Sequence, residues 1–249
     1  MPPEVWTADI LILAGDVANG FSKGWRRILP LVFERIDPGR VHVFPGNHDF
    51  YRGHLDAPGK LAAVCVELGC HYAQQSEIRP APGHRILMCT LWTDFDIGPL
   101  PVDVAMHAAE DKMNDYRHIR LSKNGYRRIT GPDICTAHKL DRAWLEERLA
   151  EPFQGETTVI THHAPHPRAL RHPEADVAAA YASDFSDMVL AYRPARWLYG
   201  HTHHPVDFRI GGCQIQNVSV GYPAQEDLLR SPAAPKYVFD LPDVVADNV

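Results

Sequence analysis

The sequence predicts an α/β fold, and three observations carry that reading. Short apolar runs with strand character alternate with longer segments of helical period. Four of the runs end in clusters of Gly, Asp, Asn and His. Residues 10–14 lead into Gly15-Asp16, 41–44 into Gly46-Asn47-His48-Asp49, 158–160 into Thr161-His162-His163, and 197–199 into Gly200-His201-Thr202-His203. The length of 249 residues is enough for one domain with a sizeable core.

The elements follow in order. Residues 10–14, all apolar, form a strand. Residues 24–34, apolar at Trp25, Ile28, Leu29, Val32 and Phe33, form a helix stopped by Asp37-Pro38-Gly39. A strand at 41–44 precedes a helix at 60–68 that ends at Gly69. A strand is expected at 86–92. Residues 133–149 contain a helix with Trp144, Leu145 and Leu149 on one face and Asp141 as a start signal. Strands at 157–161 and 196–199 bracket a helix at 182–191. Gly211-Gly212 joins two further strands, 208–210 and 214–218, as a hairpin. Residues 94–130 are polar and rich in Gly and Pro. They read as an insertion over the strand ends, part loop and part helix, within a single domain spanning 1–249. Residues 223–249 read as a loosely packed tail with a strand at 237–239.

Composition narrows the function classes. A net charge of -6 without a Lys/Arg stripe carries no nucleic-acid-binding signature. No apolar run reaches the ~20 residues of a membrane span. The first six residues lack the basic and apolar regions of a signal peptide, which makes the cytoplasm the expected compartment. The five cysteines are an odd number without a Cys-x-x-Cys pair, and read as free thiols. Histidine is abundant, with 15 in the chain. His54, His71, His84, His107, His118, His138 and His172 read as surface or helix positions. Trp25, Trp144 and Trp197 read as core.

Asp, Asn and His at the ends of separate strands can converge on one edge of a sheet as metal ligands. Two divalent ions about 3.5–4 Å apart clamp a phosphate and generate hydroxide between them. Such a pair needs a bridging carboxylate, for which Asp16 is the candidate. Asn47, one of His162 and His163, His201 and His203 are candidates for the remaining positions. Gly15, Gly46 and Gly200 let the backbone turn sharply beside the ions. His48, oriented by Asp49, would stand over the ions as a general acid for the leaving alkoxide. Histidine, Asn and Asp ligands suit Mn, Fe, Zn or Ni.

The ordered set Gly15-Asp16, Gly46-Asn47-His48-Asp49, His162-His163 and Gly200-His201-Thr202-His203 resembles the calcineurin-like metallophosphoesterases, over roughly residues 9–222. The resemblance implies a four-layer α/β/β/α sandwich with a dinuclear centre at one edge. It implies a phosphorylated small-molecule or phosphodiester substrate. Asp16 would bridge the ions. Asn47, His201 and His162 or His163 would complete one ion, and His203 would belong to the other. Position at the strand end favours His162, and spacing to Pro165 favours His163. Residues 90–94 and Asn114-Asp115-Tyr116-Arg117 resemble segments of a bacterial subgroup. On that reading Asn114 and Arg117 contact substrate, Arg117 by a bidentate clamp on phosphate. The alternative for Arg117 is an ion pair with Asp111 or Asp115 inside the loop.

One part of the family pattern is absent. Its members open with Asp-x-His on a first strand. Here fourteen residues precede Gly15 and none is His. One ion therefore keeps only Asp16 and His203. Three explanations compete: a start downstream of the true one, a mononuclear or inactive descendant acting as a binding or scaffold protein, or ligands from elsewhere in the chain or another subunit. The sandwich is expected to lack its first strand and to expose unpaired backbone edges, so that the chain is poorly stable or aggregates. A sharp, reversible melt of a monomer would count against this.

Overall fold

The structure is a computed structural model that describes residues 3–123 and 125–221; the predicted tail at 223–249, with its strand, lies outside them. The described strands form two sheets. In the first, β1 (Leu11–Ala14), β2 (Val41–Phe44) and β3 (His71–Tyr72) run parallel in that order. The second contains β4 (Ser76–Ala81), β5 (His84–Cys89), β6 (Glu156–Thr161), β7 (Arg196–Tyr199), β8 (Asp207–Ile210) and β9 (Cys213–Asn217). Its order is β4-β5-β6-β7-β9-β8, with the four inner strands parallel and the two edges antiparallel.

Alternation along the strands builds the layers, because successive side chains leave opposite faces. Phe44, Met88, Ile160 and Leu198 pack between the sheets with Ile12 and Ala14 beside them. The intervening Leu11, Val41 and Val43 face outward to Trp25 and Leu29 of α1 (Phe21–Phe33) and Leu61 and Val64 of α2 (Gly59–Leu68). Inserted between β5 and β6 of the second sheet are α3 (Val102–Lys112) and α4 (Asp115–His118), which occupy the segment expected to mix loop and helix. Leu87, Val159 and Trp197 face Leu145 of α5 (Gly131–Ala150) and Met188 and Val189 of α6 (Ser186–Tyr192). The fold is the four-layer α/β/β/α sandwich.

Among the described residues β1 has a ladder partner on one side only, and Ile12, Leu13 and Ala14 are partly exposed.

Two strands and one helix start depart from the sequence reading. The two-residue β3 is too short for a periodic signal. The segment Ser76–Ala81 is polar and contains Pro80, which an edge strand with a bulge tolerates. Helix α5 begins near Thr130, whose side chain forms a capping box with Asp133, so Asp141 is not a start signal. Asp141 is instead buried in mid-helix. Its Oδ1 accepts from Gln74 and Gln75, and its Oδ2 accepts from the Leu91 backbone N–H at 2.8 Å.

That bond holds a strained turn. Leu91 and Trp92 have φ of 76° and 45°, in the left-handed region that costs non-glycine residues energy. His138, buried on the same helix, bonds through Nδ1 to the Leu91 carbonyl. His138 is thus a helix residue as expected, though a buried one, and the buried His84 of β5 is neither a surface nor a helix position. Burial raises the Asp141 carboxyl to about 6, against the lowering effect of its hydrogen bonds. The native state thus retains a proton between pH ~4 and about 6 that the unfolded chain has released. Stability is expected to fall by about 3 kcal/mol as pH rises through that window and to level off above it. Urea titrations of wild type and Asp141→Asn across pH 4–8 check this. A difference between the two that does not vary with pH would remove Asp141 from the account.

Candidate metal centre

All four Gly/Asp/Asn/His clusters lie directly after the carboxyl ends of parallel strands: β1 and β2 in one sheet, β6 and β7 in the other. Ligand sites form at such ends because the loops leaving parallel strands gather there. The ladder between β6 and β7 extends one residue further, with Gly200 N–H donating to the His162 carbonyl at 3.1 Å. The chain then turns abruptly. Asp16 and His201 hold φ of 54° and 60°, so each side chain swings inward at the cost of backbone strain. The turns are packed against one another. A Cβ on Gly46 would collide with Asp16 Oδ1 and His162 Cε1.

Asp16, His162 and His201 meet, with their ligand atoms all within 4.8 Å of one another. Asn47 joins them: its Oδ1 lies 3.0 Å from His162 Nε2. Asp16 Oδ1 lies 3.4 Å from the same nitrogen and accepts from the His48 backbone N–H. His162 Nδ1 faces the Ala14 carbonyl at 2.9 Å and must donate to it. Nε2 is then left between two oxygens, an arrangement that calls for a proton or a cation. Burial lowers the His162 pKa, but the neighbouring Asp16 outweighs it and the net shift is upward. Burial alone would raise the Asp16 carboxyl, but His162, His48 and His201 hold it far below the carboxylate range. His201 is pushed down by burial and by His163 and His162, so its imidazole stays neutral. Its buried Nε2 has no hydrogen-bond partner. An orphaned imidazole nitrogen beside a carboxylate, an amide oxygen and a second imidazole fits a divalent cation of intermediate softness.

The other candidates are placed differently. His163 is buried, bonds through Nδ1 to the Thr90 carbonyl and packs on Trp92, outside the group of three. His203 also lies outside that group, although its charge is felt by His201. Asp49 does not orient His48. It is fully buried and accepts from the backbone N–H groups of Val17, Ala18 and Gly46 and from Trp25 Nε1. The His48 ring instead bonds through Nδ1 to Asn19 Oδ1 at 2.8 Å and stacks on Tyr51 at 4.5 Å. The reason is backbone geometry: His48–Phe50 is a 3₁₀ turn that sends adjacent side chains in different directions. Asn114 and Arg117 are exposed. The Asn114 carbonyl caps α4, and Arg117 donates to the Asp111 carbonyl rather than pairing with a carboxylate. Asp115, between them, has no site role in the sequence reading beyond the alternative pairing with Arg117. It is buried and accepts from Asn47 Nδ2 at 2.9 Å. Its signal was an acidic residue beside an aromatic one within a polar insertion.

The model of the calcineurin-like phosphoesterases matches residues 3–205. The chain belongs to the calcineurin-like phosphoesterase family. It is 24% identical over 257 residues to an uncharacterized protein of Acanthamoeba polyphaga mimivirus, covering 96% of this chain and 86% of that protein. Among solved structures, the phosphopantetheinyl hydrolase of Mycobacterium tuberculosis superposes with a TM-score of 0.70 at 22% identity, over 97% of this chain and 91% of that one. A Thermus thermophilus protein superposes with a TM-score of 0.50 at 12% identity, over 87% and 79%. At these identities the structural likeness establishes the fold. Among the described residues no helix is long and apolar enough to cross a membrane.

Proposed function

We propose that this calcineurin-like phosphoesterase is a metal-dependent hydrolase of phosphate mono- or diesters. The observation that carries the reading is the meeting of Asp16, His162 and His201, whose ligand atoms lie within 4.8 Å of one another, while His201 Nε2 is buried without a hydrogen-bond partner. Asp16, Asn47, His162 and His201 would hold the cation. When bound, a divalent cation supplies Lewis-acid stabilisation of phosphate oxygens and an activated water. His48, partly exposed beside Asp16, would protonate the leaving oxygen. Asn19 and the Tyr51 ring set its orientation.

Purified protein reconstituted with Mn²⁺, Fe²⁺, Zn²⁺ or Ni²⁺ is expected to hydrolyse aryl phosphate mono- or diesters and to lose turnover to chelation. A phosphopantetheinyl ester belongs in the panel, because the Mycobacterium hydrolase is named for the phosphopantetheinyl group. Absence of turnover with every metal, or turnover indifferent to chelator, would sink the reading. His48→Ala is expected to cost about 10²–10⁴-fold on esters with a poor leaving group and much less on p-nitrophenyl esters. Equal losses on both would remove His48 as the acid.

A mononuclear site is the second reading. It is favoured by the complete donor set for one ion and by the position of His203 outside it. Metal analysis decides: one bound ion per chain supports it and two refute it.

A further inference from the structure

We infer that Asp115 is a positioning residue that aligns a cation ligand and the leaving-group acid through one carboxylate oxygen. This deepens the proposed phosphoesterase reading and rests on it. Asp115 opens α4, in the segment between β5 and β6, 68 residues from Asn47 in sequence. Its side chain is 6% exposed. A single atom, Oδ1, accepts from Asn47 Nδ2 at 2.9 Å and from the Tyr51 hydroxyl at 2.7 Å.

Each bond fixes something the centre needs. An Asn side chain can turn over by 180°, exchanging its oxygen and nitrogen with little change in shape. With Asp115 accepting from Nδ2, the amide has one favourable orientation, in which Oδ1 faces His162 Nε2 at 3.0 Å. The flipped amide would set its oxygen against the carboxylate and its NH₂ toward the cation position. The second bond anchors Tyr51. Its ring lies against the His48 imidazole with centroids 4.5 Å apart and planes 18° from parallel. The His118 ring, on α4, also packs on Tyr51 at 5.2 Å. Tyr51 thus contacts both the acid and the inserted helix, with its hydroxyl pinned by Asp115. Partners of this kind beyond the ligands typically change metal affinity 10–100-fold when removed.

The two bonds separate experimentally. Asp115→Ala removes both, Asp115→Asn keeps an accepting oxygen, and Tyr51→Phe removes only the bond on the His48 side. Mn²⁺ affinity, by calorimetry on each folded full-length variant, is expected to weaken 10–100-fold in Asp115→Ala and less than about 3-fold in Asp115→Asn and Tyr51→Phe. Tyr51→Phe is expected to slow alkyl phosphate hydrolysis more than p-nitrophenyl phosphate hydrolysis, because the acid matters most for the poorer leaving group. Wild-type affinity in Asp115→Ala would overturn the inference. So would a loss in Asp115→Asn as large as in the alanine variant, or a Tyr51→Phe effect equal on both esters. If Asp115→Ala fails to fold, Asp115→Leu, similar in size and without an acceptor, takes its place with the same expected weakening of about 10–100-fold, and wild-type affinity there overturns the inference. A wild type that binds Mn²⁺ but hydrolyses nothing refutes the proposed function, while the affinity arm still decides whether Asp115 aligns Asn47.

Discussion

Asp16→Asn is expected to leave the protein folded while lowering metal-dependent phosphoester hydrolysis by about 10³-fold or more and stripping the cation at micromolar metal. The asparagine keeps an oxygen that can accept from the His48 N–H, now made at 3.0 Å, so the turn after β1 survives. What it removes is the only carboxylate in the group of three. A cation there gains several kcal/mol from a full negative charge in a poorly hydrated site, and each 1.36 kcal/mol is a tenfold change in rate. The apo protein is affected too, because Asp16 is the main influence raising the His162 pKa. Metal content by mass spectrometry and turnover at saturating Mn²⁺ are the checks. A variant that keeps wild-type metal content and rate would show that the cation sits elsewhere.

Asp49→Ala is expected to cost about 4 kcal/mol or more of stability, the largest effect of any single substitution near the site. Four buried donors depend on this carboxylate: the N–H groups of Val17, Ala18 and Gly46 and the indole of Trp25. Each donor stranded without a partner costs about 1–3 kcal/mol. The total is reduced because the carboxylate is itself costly to bury. Burial and the nearby Asp16 push it up to about 6, against the bonds from Gly46, Trp25 and Ala18. Asn is no rescue, since its NH₂ would meet N–H donors. A loss of this size is a large share of the 5–15 kcal/mol that typically separates folded from unfolded protein. Urea denaturation measures it, and a loss under about 1 kcal/mol would mean that the two turns hold without Asp49.

This role for Asp49 shows where sequence reasoning reached and where it stopped. Adjacency to His48 suggested a partnership across one peptide bond. Neighbouring residues in a 3₁₀ turn point apart, and Asp49 faces inward to bind the turn after β1 while His48 faces the site. Choosing between His162 and His163 met the same limit. Alternation along β6 sends one imidazole to the strand-end cluster and the other toward Trp92, and the period alone does not say which. Asp115 was out of reach for another reason. It belongs to the centre only because the inserted segment folds back across the strand ends, and nothing local to residues 114–117 encodes that distance.

By itself the sequence determined the alternation of strands and helices, the strand ends where polar clusters sit, and the family those clusters identify. These follow from local periodicity and from residue chemistry at a single position. Only the tertiary structure decided which oxygens and nitrogens meet, that Asn19 and Tyr51 hold His48, and that Asp115 holds Asn47. Those contacts join residues up to 148 positions apart, and a separation of that kind is closed by packing two sheets together, not by any pattern along the chain.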